Sequence, residues 1–165
     1  MTNTNYKTIA SKIKFEGRAF INGKYVDAID GEKFETINPA TGETLCSVAK
    51  CNSKDVDLAV KVSRKAFNSG VWSRTSPEFR KDVLLKFAEL LRSHGVENSV
   101  LECIDTGKLI GDCINEVAND APMHFQWYGE LIDKVFGKVG PTEPSLTSLI
   151  VKEPIGIVAG VVPWN

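Results

Sequence analysis

The sequence predicts an α/β fold, and three observations carry that prediction. The first quarter of the chain is rich in short strand patterns, and a run of amphipathic helical patterns follows as far as about residue 136. Near its end the chain reaches Ile157, Val158, Ala159, Gly160, Val161 and Val162, with no polar residue on either face. Such a run is typical of a strand buried on both sides in a parallel sheet. With 165 residues, a compact fold can bury about 70% of the surface that its unfolded chain exposes, so a real core is within reach.

Residues 1–17 carry no clear period and are expected to be flexible. The first strand pattern is AFINGKYVDA, in which Asn22-Gly23 separates Phe20 and Ile21 from Tyr25 and Val26. Asn-Gly accepts the two positive φ angles of a type I′ turn, which predicts a β-hairpin. KFETI and ETLCSVA flank NPATG, where Pro39 and Gly42 mark a loop between two further strands. A helix capped by Ser53 then places Val56, Ala59, Val60, Ser63, Ala66 and Phe67 on one face, with Asp55 in its first turn, and ends at Gly70.

Ser76-Pro77-Glu78 opens the next helix with a cap, a proline at the first helical position and a carboxylate at the positive end of the dipole. Its stripe is Val83, Leu84, Phe87, Leu90 and Leu91, and His94-Gly95 closes it. A short helix with Val96, Val100 and Ile104 stops at Gly107. Ile110, Ile114, Val117 and Ala118 keep helical spacing until Pro122 breaks or restarts it, and Phe125, Tyr128, Leu131, Ile132 and Val135 carry the next helix. After Gly137, GKVGPTEPSL is turn-rich, and TSLIVKEP reads as an exposed strand ending at Pro154.

Composition narrows the function classes. The 20 Lys and Arg nearly balance 21 Asp and Glu, so the chain has no basic footprint for nucleic acid or anionic lipid, and a small-molecule partner is the default. No apolar run approaches the roughly 20 residues of a membrane span, and the N-terminus lacks the apolar core of a secretory signal. Cys46, Cys51, Cys103 and Cys113 form no C-x-x-C pair, which predicts free, mostly buried thiols in a reducing compartment. The cytoplasm is the simplest location, with the basic residues among 7–18 leaving a mitochondrial leader as the alternative.

The apolar run ends in Pro163-Trp164-Asn165. In open parallel sheets ligands bind beyond the carboxyl ends of strands, so the Asn165 amide there is placed to donate to a substrate. The alternative is a turn in which Asn165 bonds to its own backbone. His94 and His124 have no visible catalytic partner, and Trp127-Tyr128 suits helix packing as well as it suits a stacking platform. Gly107-Lys108 is no phosphate loop, because Glu102 stands where its first glycine belongs.

FINGKYVDA, INPATGE, FNSGVWS, LECIDTGK, WYGELIDKVFG and VKEPIGIVAGVVPWN occur in the order and spacing of the NAD(P)-dependent aldehyde dehydrogenase superfamily, which the chain resembles from about residue 18 onward. The last two motifs look most like the branch acting on γ-glutamyl-aminobutyraldehyde and related amino-aldehydes. The resemblance implies the N-terminal part of that fold, with 18–136 in the NAD(P)-binding domain and 137–155 as an oligomerisation arm reaching a neighbouring subunit. Residues 156–165 would then be the first strand of an incomplete Rossmann-like nucleotide-binding sheet. It also implies that Asn165 donates to the aldehyde oxygen once a cysteine thiolate attacks the carbonyl. Val161, Val162, Pro163 and Trp164 would line the cofactor cleft, for NAD or NADP, and Asp105 with the backbone of Ile37 would match a structural monovalent-cation site in some members. A polar group at a helix C-terminus is the equal alternative for Asp105.

In the resembled family the nucleophilic cysteine, the base and the nucleotide-holding segments all follow the PWN motif, and none of the four cysteines here matches the nucleophile. The chain is therefore expected to be an N-terminal fragment without the catalytic domain, inactive alone and homo-oligomeric in its full-length form. Its helical layer would be complete and its sheet incomplete. A non-catalytic chain that docks on a full-length homologue, and a remnant without function, are the competing expectations.

Overall fold

The computed structural model describes residues 5–162. It begins with a short helix, α1 (Tyr6–Ala10), where flexible chain was expected. Asn5 supplies the reason: its side-chain oxygen accepts from the Thr8 amide at 3.1 Å and caps the turn. Three antiparallel two-stranded ladders follow the chain order. β1 (Ala19–Ile21) pairs with β2 (Lys24–Val26) through a turn in which Asn22 and Gly23 have φ of 56° and 74°, the expected type I′ signature. β3 (Lys33–Ile37) pairs with β4 (Thr44–Ala49), with a register shift between Thr36 and Ile37.

The helices are α2 (Ser53–Ser69), α3 (Pro77–Ser93), α4 (Gly95–Thr106), α5 (Ile110–Cys113) and α6 (Ala121–Leu131). Asn52, not Ser53, caps α2. Its side chain accepts from the Lys54 amide at 2.8 Å while Asp55 reaches back to the Asn52 amide at 2.9 Å, a reciprocal capping box. Ser76 caps α3 as read, accepting from the Phe79 amide at 3.1 Å. Between α5 and α6 the chain does not break at Pro122. Residues Ile114–Asp120 form a π-helical stretch, and helical backbone continues through its ends. The Ala121 amide reaches back five residues to the Glu116 carbonyl, so the wider turn absorbs the site where Pro122 has no N–H to give.

The core lies where α3, α4, the π stretch and α6 meet, with Ala88, Ser99, Val100, Cys113 and Pro122 buried. Gly95 permits α4 and the π stretch to approach closely, since a Cβ there would lie 2.8 Å from the Ala118 Cβ. Phe87 and Phe125 meet edge-on across α3 and α6 with ring centroids 4.7 Å apart. The cysteines are free, but only Cys113 is buried; Cys46 and Cys103 are half-buried and Cys51 is exposed. Trp127 and Tyr128 point outward instead of packing between helices, and Val56, Val60, Val83 and Leu90 of the predicted stripes are also exposed.

The C-terminal third departs most from expectation. β5 (Lys138–Gly140), which the turn-rich composition concealed, pairs with β6 (Ser148–Ile150) in an exposed antiparallel hairpin. Beyond it, residues 151–162 form no strand, and Val158, Val161 and Val162 are 75%, 98% and 82% exposed. A strand exists by exchanging backbone hydrogen bonds with a neighbour, and among the described residues no ladder includes this segment. The strand expected at 156–162 is thus apolar chain without a ladder.

Candidate functional site

Two regions hold the residues that the sequence singled out. The first is a cleft of about 740 Å³ between the end of α2, the following loop and residues 152–158. Phe67, Val71 and Trp72 form one wall, and Pro154, Ile155 and Ile157 the other. Arg80 and Lys152 bring positive charge to it and Glu153 a single carboxylate. The chain leaves this cleft through Gly156 toward Val161 and Val162. Pro163, Trp164 and Asn165 lie outside the described residues, so the position of the expected oxyanion donor belongs to the sequence alone.

Val161 and Val162, the described part of the expected cofactor contacts, face solvent. They offer backbone and apolar surface and no phosphate-binding donors beyond their amides. The described residues include no group of three or more His, Cys, Asp and Glu side chains placed to share a metal ion.

The second region is a cavity of about 550 Å³ bounded by residues 14–16, the β3–β4 ladder and α4. Asp105, in the last turn of α4, points into it and accepts a hydrogen bond from the Thr36 hydroxyl at 3.1 Å. Thr36 directly precedes Ile37, so the two expected cation-site residues are brought near one another at the bulge of β3. The contact also serves the alternative reading, because it ties the helix end to the sheet. Next to the cavity, Glu16 grips Arg18 through two hydrogen bonds of 2.7 and 2.6 Å, and the guanidinium holds the Glu16 carboxyl down at about 2.

Sequence reasoning places Asp55 in the first turn of α2 but misses what it does there. This almost fully buried carboxylate accepts from the amides of Ile29 and Asn52, each at 2.9 Å, and so joins the loop after β2 to the start of α2. Asn52 in turn donates to Asp30 at 2.6 Å, and the Glu32 amide together with that contact holds the Asp30 carboxyl below its ordinary range. The signal was present as Asn-x-x-Asp before an apolar period, the capping box in its Asn form.

The comparisons with known proteins agree with one another. The model of the aldehyde dehydrogenase family matches residues 25–165. The NADP/NAD-dependent aldehyde dehydrogenase PuuC of Escherichia coli is 42% identical over 156 residues, covering 94% of this chain and 32% of PuuC. The structure of Pseudomonas syringae AldA indole-3-acetaldehyde dehydrogenase in complex with NAD+ and IAA superposes with a TM-score of 0.93 at 40% identity, covering 96% of this chain and 32% of that one. The γ-glutamyl-γ-aminobutyraldehyde dehydrogenase of Burkholderia cenocepacia gives a TM-score of 0.93 at 43% identity, with 96% and 32% coverage. The chain spans about a third of the length of these relatives. Since the family model takes in most of the sequence and the backbone follows that of solved members, this chain belongs to the aldehyde dehydrogenase family.

Proposed function

We propose that the chain is the N-terminal part of an enzyme that oxidises an aldehyde to a carboxylic acid with NAD(P)+, by way of a cysteine thiohemiacetal. The observation that carries this reading is the family match that runs through residue 165. Amino-aldehydes are the proposed substrate class, supported by the likeness to the γ-glutamyl-γ-aminobutyraldehyde enzyme. NAD or NADP would supply the hydride acceptor, with the backbone from Val161 to Trp164 along its cleft. The cytoplasm is the proposed location.

The chemistry asks one thing of this chain. Attack of a thiolate on the carbonyl places negative charge on the aldehyde oxygen, and a neutral amide aimed there stabilises it where a carboxylate would repel it. Asn165 is the proposed donor. In the complete enzyme Asn165→Asp should lower kcat about 10² to 10³-fold. A variant that keeps wild-type kcat removes Asn165 from the mechanism. The 165 residues alone should form no NAD(P)H from an aldehyde, and enzyme-dependent turnover by the purified chain would overturn that part. Asp105 with the backbone of Ile37 is proposed as the monovalent-cation site, to which the neighbouring Thr36 hydroxyl adds an oxygen.

Homo-oligomerisation through residues 137–155 is the proposed assembly. A second reading, a non-catalytic chain that binds a full-length homologue, is favoured by the exposed β5–β6 hairpin and by the apolar segment after it. Co-elution of the chain with such a homologue distinguishes the two, as does the intact mass of the protein in its source.

A further inference from the structure

Asn22-Gly23 is the one Asn-Gly pair in the sequence, and it forms the tip of the β1–β2 hairpin. Both residues are exposed, and the space beside Gly23 is open, since a Cβ built there would meet nothing within 4 Å. The backbone nitrogen that follows an asparagine can attack its Cγ and close a five-membered imide, and a glycine leaves no Cβ in the way. The new N–Cγ bond replaces the Cγ–Nδ2 bond, and ammonia departs with the proton of the attacking amide. Water then opens one of the two C–N bonds of the imide, leaving aspartate or isoaspartate. The net change is amide plus water to acid plus ammonia, with no oxidant or reductant. Asn68, Asn98, Asn115 and Asn119 lie in helical stretches, where a residue with a side chain follows and its amide serves the backbone ladder.

The closed hairpin opposes this reaction. Asn22 has a φ of 56°, and the first central residue of a type I′ turn has a ψ of about +30°. That angle places the Gly23 nitrogen nearly opposite the Asn22 Cβ about the Cα–C bond, whereas ring closure needs the two on the same side. The rotation between them dismantles the turn and its closing pair, Ile21 with Lys24. Little resists it. In this chain β1 and β2 have three residues each and, among the described residues, pair with no third strand. A lone two-stranded hairpin is marginally stable in water. Its main tie is the cross-strand pair of Phe20 and Tyr25, edge-on with ring centroids 5.1 Å apart, with the Arg18 Cζ 5.7 Å from the Tyr25 centroid.

We infer that Asn22 is a site of spontaneous deamidation in this chain, reached when the β1–β2 hairpin opens, and that the Phe20–Tyr25 pair sets how often it opens. The two products differ in consequence. Aspartate suits the same turn, because Asp-Gly is also favoured in type I′. Isoaspartate carries the main chain through its β-carbon, so one extra backbone atom separates Ile21 from Gly23 and the closing pair does not re-form.

Peptide mapping of the 165-residue chain, held at mildly alkaline pH either folded or in urea, tests the inference by separating asparagine, aspartate and isoaspartate at position 22. The folded chain should convert there about tenfold or more slowly than the chain in urea, as a reaction through local opening requires. Its rate should rise with pH, because the attacking nitrogen must lose its proton, while Asn68 and Asn98 stay intact. Tyr25→Ala should speed conversion of the folded chain about two- to fivefold and leave the rate in urea unchanged, with the far-UV signal reporting intact helices. No conversion at position 22 in the folded chain overturns the site. Equal rates in the folded and urea samples overturn the dependence on opening, and a wild-type rate in folded Tyr25→Ala removes the aromatic pair from its control.

Discussion

Asp55 shows how one side chain can secure two segments, because its two oxygens accept from the Ile29 and Asn52 amides in a nearly dry setting. Asp55→Ala strands both donors, and the expected loss is about 2–3 kcal/mol by chemical denaturation. A loss below about 0.5 kcal/mol would mean that water replaces the carboxylate there. Asp133 illustrates the exposed case. Lys134 and then Lys81 hold its carboxyl down at about 2, from an ordinary 3.8. A depressed carboxylate stabilises the fold above its ordinary pKa, and that contribution is lost as pH falls from about 3.8 through about 2. The group is solvated, so the effect on stability is small and fades with salt. NMR titration should show the Asp133 midpoint rising in Lys81→Ala, and an unmoved midpoint contradicts the pairing. At this scale the role proposed for Asn165 rests on its motif, and the residue lies outside the described ones. The role of Asp55 was missed, though its place in the first turn was read, because the first apolar residue of the period drew the cap to Ser53 and not to Asn52.

Among elements, α4 and the π stretch meet at a contact that tolerates no added methyl group. Gly95→Val puts side-chain atoms where the Ala118 Cβ already lies, within 2.8 Å of the first of them. The expected cost is about 1–3 kcal/mol, and Ala118→Gly in the same chain should return part of it. Simple additivity of the two changes in thermal or denaturant unfolding would show that they do not share the contact. Helix ends, the Asn22-Gly23 turn and the β3–β4 pair were legible because capping, turn and alternation signals are local. β5 was not, since Gly137, Gly140 and Pro141 dominate a strand only three residues long. The π stretch was equally hidden: helical spacing and Pro122 together imply an interruption, whereas the chain widens one turn and continues.

For the whole molecule, the helical layer is formed, while the segment read as a buried strand is exposed apolar chain. Periodicity reports which residues avoid water but not which other part of a protein covers them, and that is why Val158, Val161 and Val162 were placed inside. The purified 165-residue chain should therefore bind a dye that brightens on apolar surface and melt over a broad range. A sharp single transition with little dye binding would contradict the open surface. The widened turn at Ile114–Asp120 sets a phase for everything after it. Each helical residue advances the chain by about 100°, so deleting one residue there would swing α6 by roughly that angle about its axis. Phe125 would leave Phe87, and the Lys81–Asp133 bridge of 2.7 Å would open. Along those seven residues, the count matters more than the side chains: substitutions adjust the packing, whereas a change in length re-aims α6.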